Sequence, residues 1–596
     1  MDTKISYCSL DDPDRSFRLI KLQPSKDKET AASDNLVCDI EEHVRGDCPP
    51  YTALSYVWAT PESKKEYIIA NGTKVQISQT VENALRRLRF RQKPRWLWVD
   101  QLCINQIDEN EKSHQVHQMH IIYSDADQVI TWLGTGDEKS DLICRLMRDT
   151  GRAIRQRNIE ALKKFYGEDG SVDLAAAKEA FNSFCERRYW TRLWVIQEFA
   201  VGRRVAVACG DWIVKGDLIT ATLWAVDTIQ RHSRKKPIEG LDVMRKNYEF
   251  VFGSPLSSYV YNLFTRRLLF QPPSSDTQSS YADPFIKVIV TSLTLEVDYN
   301  SVYSSDPRDR VFALLNLAED KDHFDTFPDY SMSVEEVYVE AARKILVQGW
   351  IDVLLYCQTP RKINSLPSWV PDWAMDVRHP CAQPPWSTSF DASGGQVSMP
   401  KFPSPELVTL EGIYIDTIKE TGEAWDPNWL QNVDKDAVAS YVESIRGFCD
   451  RSPRIHVGRE GAETSRIAIL DGTLWFDSVP YPEWGTECET ALDELLRSPA
   501  NGDESTTITD PWYAKTLLRL HQRRAFLTST GYVGVGPLDT RVGDEVCAFI
   551  GGNAAYLVRP EENGLHSLVG EAYVHGVMYG ELLKGGFEQR KAYTLR

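Results

Sequence analysis

The chain has 596 residues and a formal net charge of −17, from 68 Lys and Arg against 85 Asp and Glu. Its 42% apolar and 26% charged residues are those of an ordinary folded protein, which excludes a disordered or fibrous chain. So acidic a surface repels phosphate backbones and argues against nucleic-acid binding, and no run reaches the ~20 apolar residues of a membrane span.

Length alone suggests two to four packed units at ~150 residues each. The N-terminus lacks the apolar core of a secretory signal, and the twelve cysteines are scattered without a C-x-x-C pair. Both features fit reduced thiols in a cytoplasmic protein. The basic run at 231–236 reads as a solvated loop, and Asn71-Gly72-Thr73 as a turn rather than a glycan site.

Residues 1–50 alternate short apolar runs with turns and predict an edge hairpin, or a strand that leads into the next segment. Residues 52–58 (TALSYVW) predict a buried strand. Apolar runs at 67–70 and 74–77 flank Asn71-Gly72, a strong hairpin signal. Ser78 then caps a helix with Val81, Ala84, Leu85 and Leu88 on one face. Residues 96–99 (WLWV) predict a strand ending at Asp100. A second helix starts near Asp108, with Glu111 as capping-box partner and a stripe of Val116, Met119, Tyr123 and Ala126. Residues 128–133 predict another strand, closed by Gly134. Strands alternating with helices over short connections predict a parallel sheet with flanking helices.

Residues 138–188 and 190–200 read as helical, and 204–209 as a strand. Residues 272–280 form a Pro- and Ser-rich linker. Asp306-Pro307-Arg308-Asp309 predicts a helix start, with Val311, Leu314 and Leu315 buried; a further helix covers 334–349. Residues 383–405 read as a boundary. Beyond it lie a strand at 407–415, a polar helical stretch, and short strands near 531–536, 544–550, 555–558 and 566–574. The predicted plan is therefore N-terminal strands (1–50), an α/β domain (51–215), a helical middle region (216–382), a linker (383–405) and a β-rich C-terminal module (406–596).

These same segments carry a resemblance. Residues 51–58 (YTALSYVW), 96–106 (WLWVDQLCINQ) with Glu111, Gln115, Met119 and Tyr123, 129–134 (VITWLG) and 188–198 (RYWTRLWVIQE) resemble fungal heterokaryon-incompatibility (HET) domain proteins. Downstream, 306–315 (DPRDRVFALL), 366–373 (LPSWVPDW), 543–547 (GDEVC) and 569–576 (VGEAYVHG) match in order. Two positions depart from the family pattern: Ala59 replaces a Gly, and Gln101 stands where a small residue follows the Asp. The resemblance implies a role in non-self recognition and programmed cell death, and a relation to TIR domains with their flavodoxin-like parallel sheet. It also implies self-association through the HET domain and a separate sensor protein, since no nucleotide-binding sensor module is evident. Several TIR domains cleave NAD with one helical glutamate that follows a Trp, an arrangement that Trp194-Val-Ile-Gln-Glu198 resembles. On that reading NAD is a substrate and no cofactor is needed.

Ligands of open α/β sheets bind outside the carboxyl ends of the strands, where Tyr56, Trp58, Asp100 and Gly134 fall. Trp194 and Glu198 are four apart and share a helix face. The expected site therefore has Glu198 as the catalytic carboxylate and Tyr56, Trp58, Asp100, Arg192 and Trp194 as substrate-binding residues. The aromatic rings would stack a base and Arg192 would meet a pyrophosphate. Each has a plain structural alternative: Glu198 paired with Arg188 or Arg192, Trp194 in the core, Asp100 capping a loop. Asp306, Arg308, Asp309 and Arg310 read as a cap and ion-pair network. His114, His117 and His120 spread over too wide an arc for a metal site unaided, so no metal is expected. Glu571 and His575 share a predicted strand face and could pair. No G-x-S-x-G elbow or P-loop is present. Three functions remain in contention: a cell-death effector that cleaves NAD, a small-molecule enzyme of secondary metabolism on the same scaffold, and a non-catalytic recognition or scaffold protein.

Overall fold

Two five-residue strands, Thr52–Tyr56 and Val205–Cys209, are buried along their whole length. Strands buried on both faces belong inside a sheet covered by helices on each side. That is their place in the computed structural model, which describes residues 5, 7–25, 35–58, 64–224, 241–253, 258–270, 283–295, 302–375, 377–381, 390–425, 435–458, 460–470, 490, 493, 522–584 and 589–596. The expectations for Ala59, 231–236, 272–280 and 383–389 lie outside these residues. The chain divides into two compact units, Met1–Pro284 with Tyr299–Ser331, and Phe285–Asp298 with Met332–Arg596.

In the first unit nine strands form one sheet: β1 Ser16–Leu22, β2 Val37–Val44, β3 Thr52–Tyr56, β4 Lys65–Ala70, β5 Thr73–Ser78, β6 Arg95–Trp98, β7 Gln128–Trp132, β8 Val205–Cys209 and β9 Trp212–Lys215. Their spatial order is β5-β4-β2-β1-β6-β3-β7-β8-β9. The central β6, β3, β7 and β8 run parallel. Taken alone they follow the order second-first-third-fourth, which is the flavodoxin-like doubly wound order. The chain reverses its winding across β3, so a crevice opens at the carboxyl end of that strand.

The expected parallel sheet is thus the centre of a wider mixed one. β1 joins β6 antiparallel and carries β2 with it, while β9 turns back on β8. The partial exposure of β2, which lies between β4 and β1, fits a strand with one face toward solvent. The β4–β5 hairpin turns at Asn71 and Gly72, with φ of +48° and +76°. Positive φ at both central residues is what a type I′ turn requires.

Helices cover the sheet: α1 Gln79–Leu88, α2 Asp100–Cys103, α3 Glu109–Asp125, α4 Glu138–Arg155, α5 Ile159–Tyr166, α6 Leu174–Cys185, α7 Trp194–Val201 and α8 Gly216–Leu223. Ser78 caps α1 by accepting from Val81 N, and Asp108 caps α3 by accepting from Glu111 N at 3.0 Å. Glu111 does not complete a capping box. Its carboxylate instead accepts from both terminal nitrogens of buried Arg18 (2.6 and 2.9 Å) and from Asn105 N (2.8 Å). Arg18 also donates to the carbonyls of Cys8 and Cys103, so one guanidinium ties β1 to α2 and α3.

In the second unit the long strand Leu407–Ala424 pairs with Arg523–Thr528, from which the order runs through Val533–Pro537, Leu565–Val574 and Ala555–Pro560 to Glu545–Phe549. Glu545–Phe549 pairs back onto the first half of Leu407–Ala424. The ring closes, and the β-rich module is a six-stranded barrel, with Arg590–Leu595 paired onto its first and fourth strands. Register shifts between Tyr414 and Asp416 and between Ile418 and Glu420 bend the long strand where it passes from one partner to the other. Among the described residues no helix is long and apolar enough to cross a membrane.

Gly151 lies inside α4, where alanine would ordinarily favour the helix by about 1 kcal/mol. A Cβ there would stand 2.8 Å from the carbonyl carbon of Leu218 on α8 and closer still to its oxygen. That neighbour is backbone and cannot swing aside. We expect Gly151→Ala to lose about 1–3 kcal/mol by urea denaturation; a gain would show that α4 and α8 do not pack this closely.

Candidate functional site

The carboxyl ends of β3 and β6 open into a cavity of about 330 Å³. Val57 and Trp58 follow β3 into its wall, and Asp100 follows β6. Val116 and Met119 of α3 and Trp194 and Glu198 of α7 supply another side. Residues Tyr303 to Asp306, Asp309 and Tyr330 complete it.

Glu198 is 2% exposed yet lines this cavity. Its Oε2 accepts from the hydroxyl of Ser55 on β3. Ser55 in turn meets the Tyr189 hydroxyl at 2.7 Å, which meets Thr131 of β7 at 2.9 Å. Burial pushes the Glu198 carboxyl up to about 7, against the opposing charge of Arg192 and the Ser55 hydrogen bond. The alternative in which Arg188 or Arg192 salt-bridges Glu198 does not hold. Arg192 donates Nη1 to the carbonyl of Tyr56, and no ion pair within 4.0 Å reaches Glu198 among the described residues.

Asp100 opens the short helix α2 and accepts three hydrogen bonds: from Tyr56 Oη (2.6 Å), Trp58 Nε1 (2.6 Å) and Gln101 N (2.7 Å). Burial raises its pKa while these donors oppose the rise. Tyr56 therefore stands behind Asp100, fully buried, rather than in the cavity wall. Trp58 and Asp100 reach the cavity as a hydrogen-bonded pair. Gly134 does not line it. The carboxyl end of β7 is covered by Arg187, whose guanidinium donates to Leu133 O (3.1 Å), Thr135 O (3.0 Å) and Ser140 Oγ (2.6 Å). Gln101 turns from the cavity to accept from the Ser78 hydroxyl at 3.3 Å.

The helix expected from 190 begins at Trp194, because Arg192 bridges the backbone of Tyr303 instead. Tyr303 N donates to Thr191 O at 2.6 Å, and Leu193 N donates to Tyr303 O at 3.0 Å. The Asp306-Pro307-Arg308-Asp309 segment likewise starts its helix late, at Asp309–Leu315, after a turn held by Asp306. Asp306 pairs with Arg308 as the ion-pair reading expects. Burial works against its charge, but the guanidinium and backbone N–H of Arg308 outweigh this and hold it below the ordinary range.

Asp309 departs from that reading. Its Oδ2 accepts from Trp194 Nε1 at 2.9 Å and its Oδ1 from the Tyr330 hydroxyl at 2.7 Å, so it fixes the ring of a predicted site residue. Burial pushes its carboxyl up to about 6 despite both donors. Its signal in the sequence is one turn of charge, D-P-R-D-R, which gives no hint that one Asp faces a Trp 115 residues upstream.

Two other groups singled out by the sequence have protein partners in the structure. His114 and His120 bond the carbonyls of Asn110 and His117 in their own helix, and no group able to hold a metal ion occurs among the described residues. Glu571 and His575 do not pair: the strand ends at Val574, His575 faces Glu463 at 3.4 Å, and Glu571 is buried against Arg523 and the Cys381 thiol.

Because Glu198 is held in its acid form in the fold, the native chain keeps a proton that the unfolded chain releases above about 4.5. Stability from this group is therefore greatest at low pH, falls as pH rises from about 4.5 to about 7, and is flat above. We expect Glu198→Gln to remove much of this decline, an effect on the order of 3 kcal/mol between about pH 5 and 8 in denaturant titrations. Parallel stability profiles for the two proteins would refute the assigned protonation.

The model of the heterokaryon incompatibility protein (HET) family matches residues 51–198, and the Het-6 beta-barrel domain model matches residues 495–595. The chain is 26% identical to heterokaryon incompatibility protein 6, OR allele, of Neurospora crassa, over 96% of this chain and 95% of that protein. No solved structure matches the chain.

Proposed function

We propose that this chain, which belongs to the HET-domain heterokaryon incompatibility proteins, is a fungal cell-death effector that cleaves NAD in the cavity of its α/β unit. The observation that carries this reading is Glu198: a buried carboxyl titrating near neutrality, four residues after Trp194, facing a cavity at the carboxyl ends of parallel strands. Buried carboxyls with such a shift in a cleft mark functional sites more often than surface ones do. The reading places the chain in the cytoplasm, self-associating through its α/β unit and triggered by a separate sensor protein.

The chemistry asks little of the protein. The bond between ribose C1′ and the nicotinamide nitrogen breaks with its electron pair going to the ring, which leaves as a neutral base. No acid is needed to protonate it. Positive charge passes to the ribose, where one ionised carboxylate stabilises it electrostatically. Water then adds at C1′ and a proton is released, giving nicotinamide and ADP-ribose. Ser55 orients the Glu198 carboxylate through its hydroxyl, and Arg192 supplies the countercharge that favours ionisation. Trp194, held by Asp309, and Trp58, held by Asp100, present fixed rings for stacking.

Purified protein incubated with NAD should release nicotinamide, and Glu198→Gln should lower kcat at least ~100-fold, the scale of losing one charge-stabilising group. Because the ionised carboxylate is the active form, kcat/KM, which reports the free enzyme, should rise with pH through about 7. An absence of turnover under conditions that drive self-association would overturn the catalytic reading and favour a recognition role.

A further inference from the structure

Four aromatic side chains line the cavity, and three are pinned by carboxylates: Trp58 on Asp100, and Trp194 and Tyr330 on Asp309. The fourth, Tyr303, is different. The residue is 57% exposed and its side chain has no partner among the described residues. Its backbone, by contrast, is tightly held. It forms a parallel bridge with Arg192, donates to Thr191 O and accepts from Leu193 N. The neighbouring Val302 carbonyl accepts from Arg310 at 2.7 Å. A large aromatic ring is thus carried into solvent at the cavity mouth by a segment whose backbone is held on both sides.

The size of the cavity gives that ring a use. About 330 Å³ lies at the lower end of ligand pockets, which run ~300–1,000 Å³. A dinucleotide is two nucleotides joined through phosphates, and a space of this size holds one nucleoside moiety of it. With the nicotinamide riboside at Glu198, the second nucleoside must lie outside. Arg192 lines the cavity and is the backbone partner of Tyr303, so a phosphate on its guanidinium leaves the next base beside the Tyr303 ring. Arg188, exposed and also lining the cavity, adds a second cation at the same rim.

We propose that Tyr303 is the stacking platform for the distal purine of a dinucleotide, and that it makes the site select dinucleotides over mononucleotides. This rests on the nucleotide-binding part of the reading above, not on cleavage itself. An exposed ring on a rigid backbone is pre-organised, so stacking costs little ordering of the chain. The flat face accepts any base, so selectivity arises from the length of the ligand.

The test compares NAD with nicotinamide mononucleotide on the full chain, wild type against Tyr303→Ala and Tyr303→Phe, by calorimetric binding and by nicotinamide release. Tyr303→Ala should weaken NAD binding, and raise its KM, about tenfold, within the range of losing one base stack. Mononucleotide binding and kcat should not move, and Tyr303→Phe should behave as wild type. A purely structural role would instead lower kcat and thermal stability for both ligands. NAD that binds in a Tyr303-dependent way without being cleaved overturns catalysis and supports the subsite. NAD that is cleaved with affinity indifferent to Tyr303 overturns the subsite and leaves catalysis standing. If neither nucleotide binds wild type, both fall.

Discussion

The Glu198 carboxyl sits at the meeting point of a helix and two central strands and is only 2% exposed. An acid in that place is costly unless its oxygens are engaged, and the engagement is a line of hydroxyls. Ser55 on β3 reaches Glu198, Tyr189 reaches Ser55, and Thr131 on β7 reaches Tyr189. All four groups are nearly inaccessible, so no member can withdraw without leaving another unsatisfied. This network fixes the register of α7 on the sheet. It also sets the protonation of the one carboxyl that the cavity meets at its most buried point.

The remainder of the cavity depends on segments far along the chain. The HET family match ends at Glu198 itself, yet Tyr303, Asp306, Asp309 and Tyr330 make a wall of the same space. The helix Asp309–Leu315 packs on α7 from outside that region. Asp309 holds the Trp194 ring, and the Gln197 amide, in the orientation that satisfies both ends, donates to Ala313 O and accepts from His120 N. The helix bearing Glu198 is therefore clamped from the sheet side by hydroxyls and from the outer side by an acid and an amide. Residues 51–198 alone would leave Trp194 Nε1 without Asp309 and the Gln197 amide without the Ala313 carbonyl.

Much of this is legible in the sequence, and the limits follow from physics. Short elements with strong local signals form as their residues predict: the Asn71-Gly72 hairpin, the Ser78 cap, the strand that stops short of Asp100. Each depends on neighbours within a few residues. The departures all depend on distant partners. The strand end at Gly134 points to the crevice, but Arg187 occupies that end. Tyr56 stands at a strand tip where a ligand would lie, but its hydroxyl turns to Asp100. Glu111 has the spacing to close its own cap, but Arg18 from β1 outcompetes the local backbone with a full charge. Barrel closure in the second unit is hidden for the same reason: it turns on Leu407–Ala424 being long enough to pair at both ends, with strands that begin about a hundred residues later in the chain. The strands themselves carry only a period of two.

Charge inside the cavity runs against the overall acidity of the chain. Asp100, Glu198, Asp306 and Asp309 face Lys112, Arg188 and Arg192, but burial favours the protonated form of the first, second and fourth acids. Only Asp306 is held firmly ionised, and Arg308 neutralises it. On the proposed reading the ligand carries a cationic ring at one end and phosphates in the middle. The buried acid Glu198 and the rim cations Arg188 and Arg192 then match these two parts in sign, so binding fixes direction as well as affinity. The ligand's own pyridinium charge lowers the pKa of Glu198 when it enters. Arrival of substrate would thus ionise the carboxylate that the empty fold keeps protonated, and a site stable when empty becomes charged only when the charge is of use.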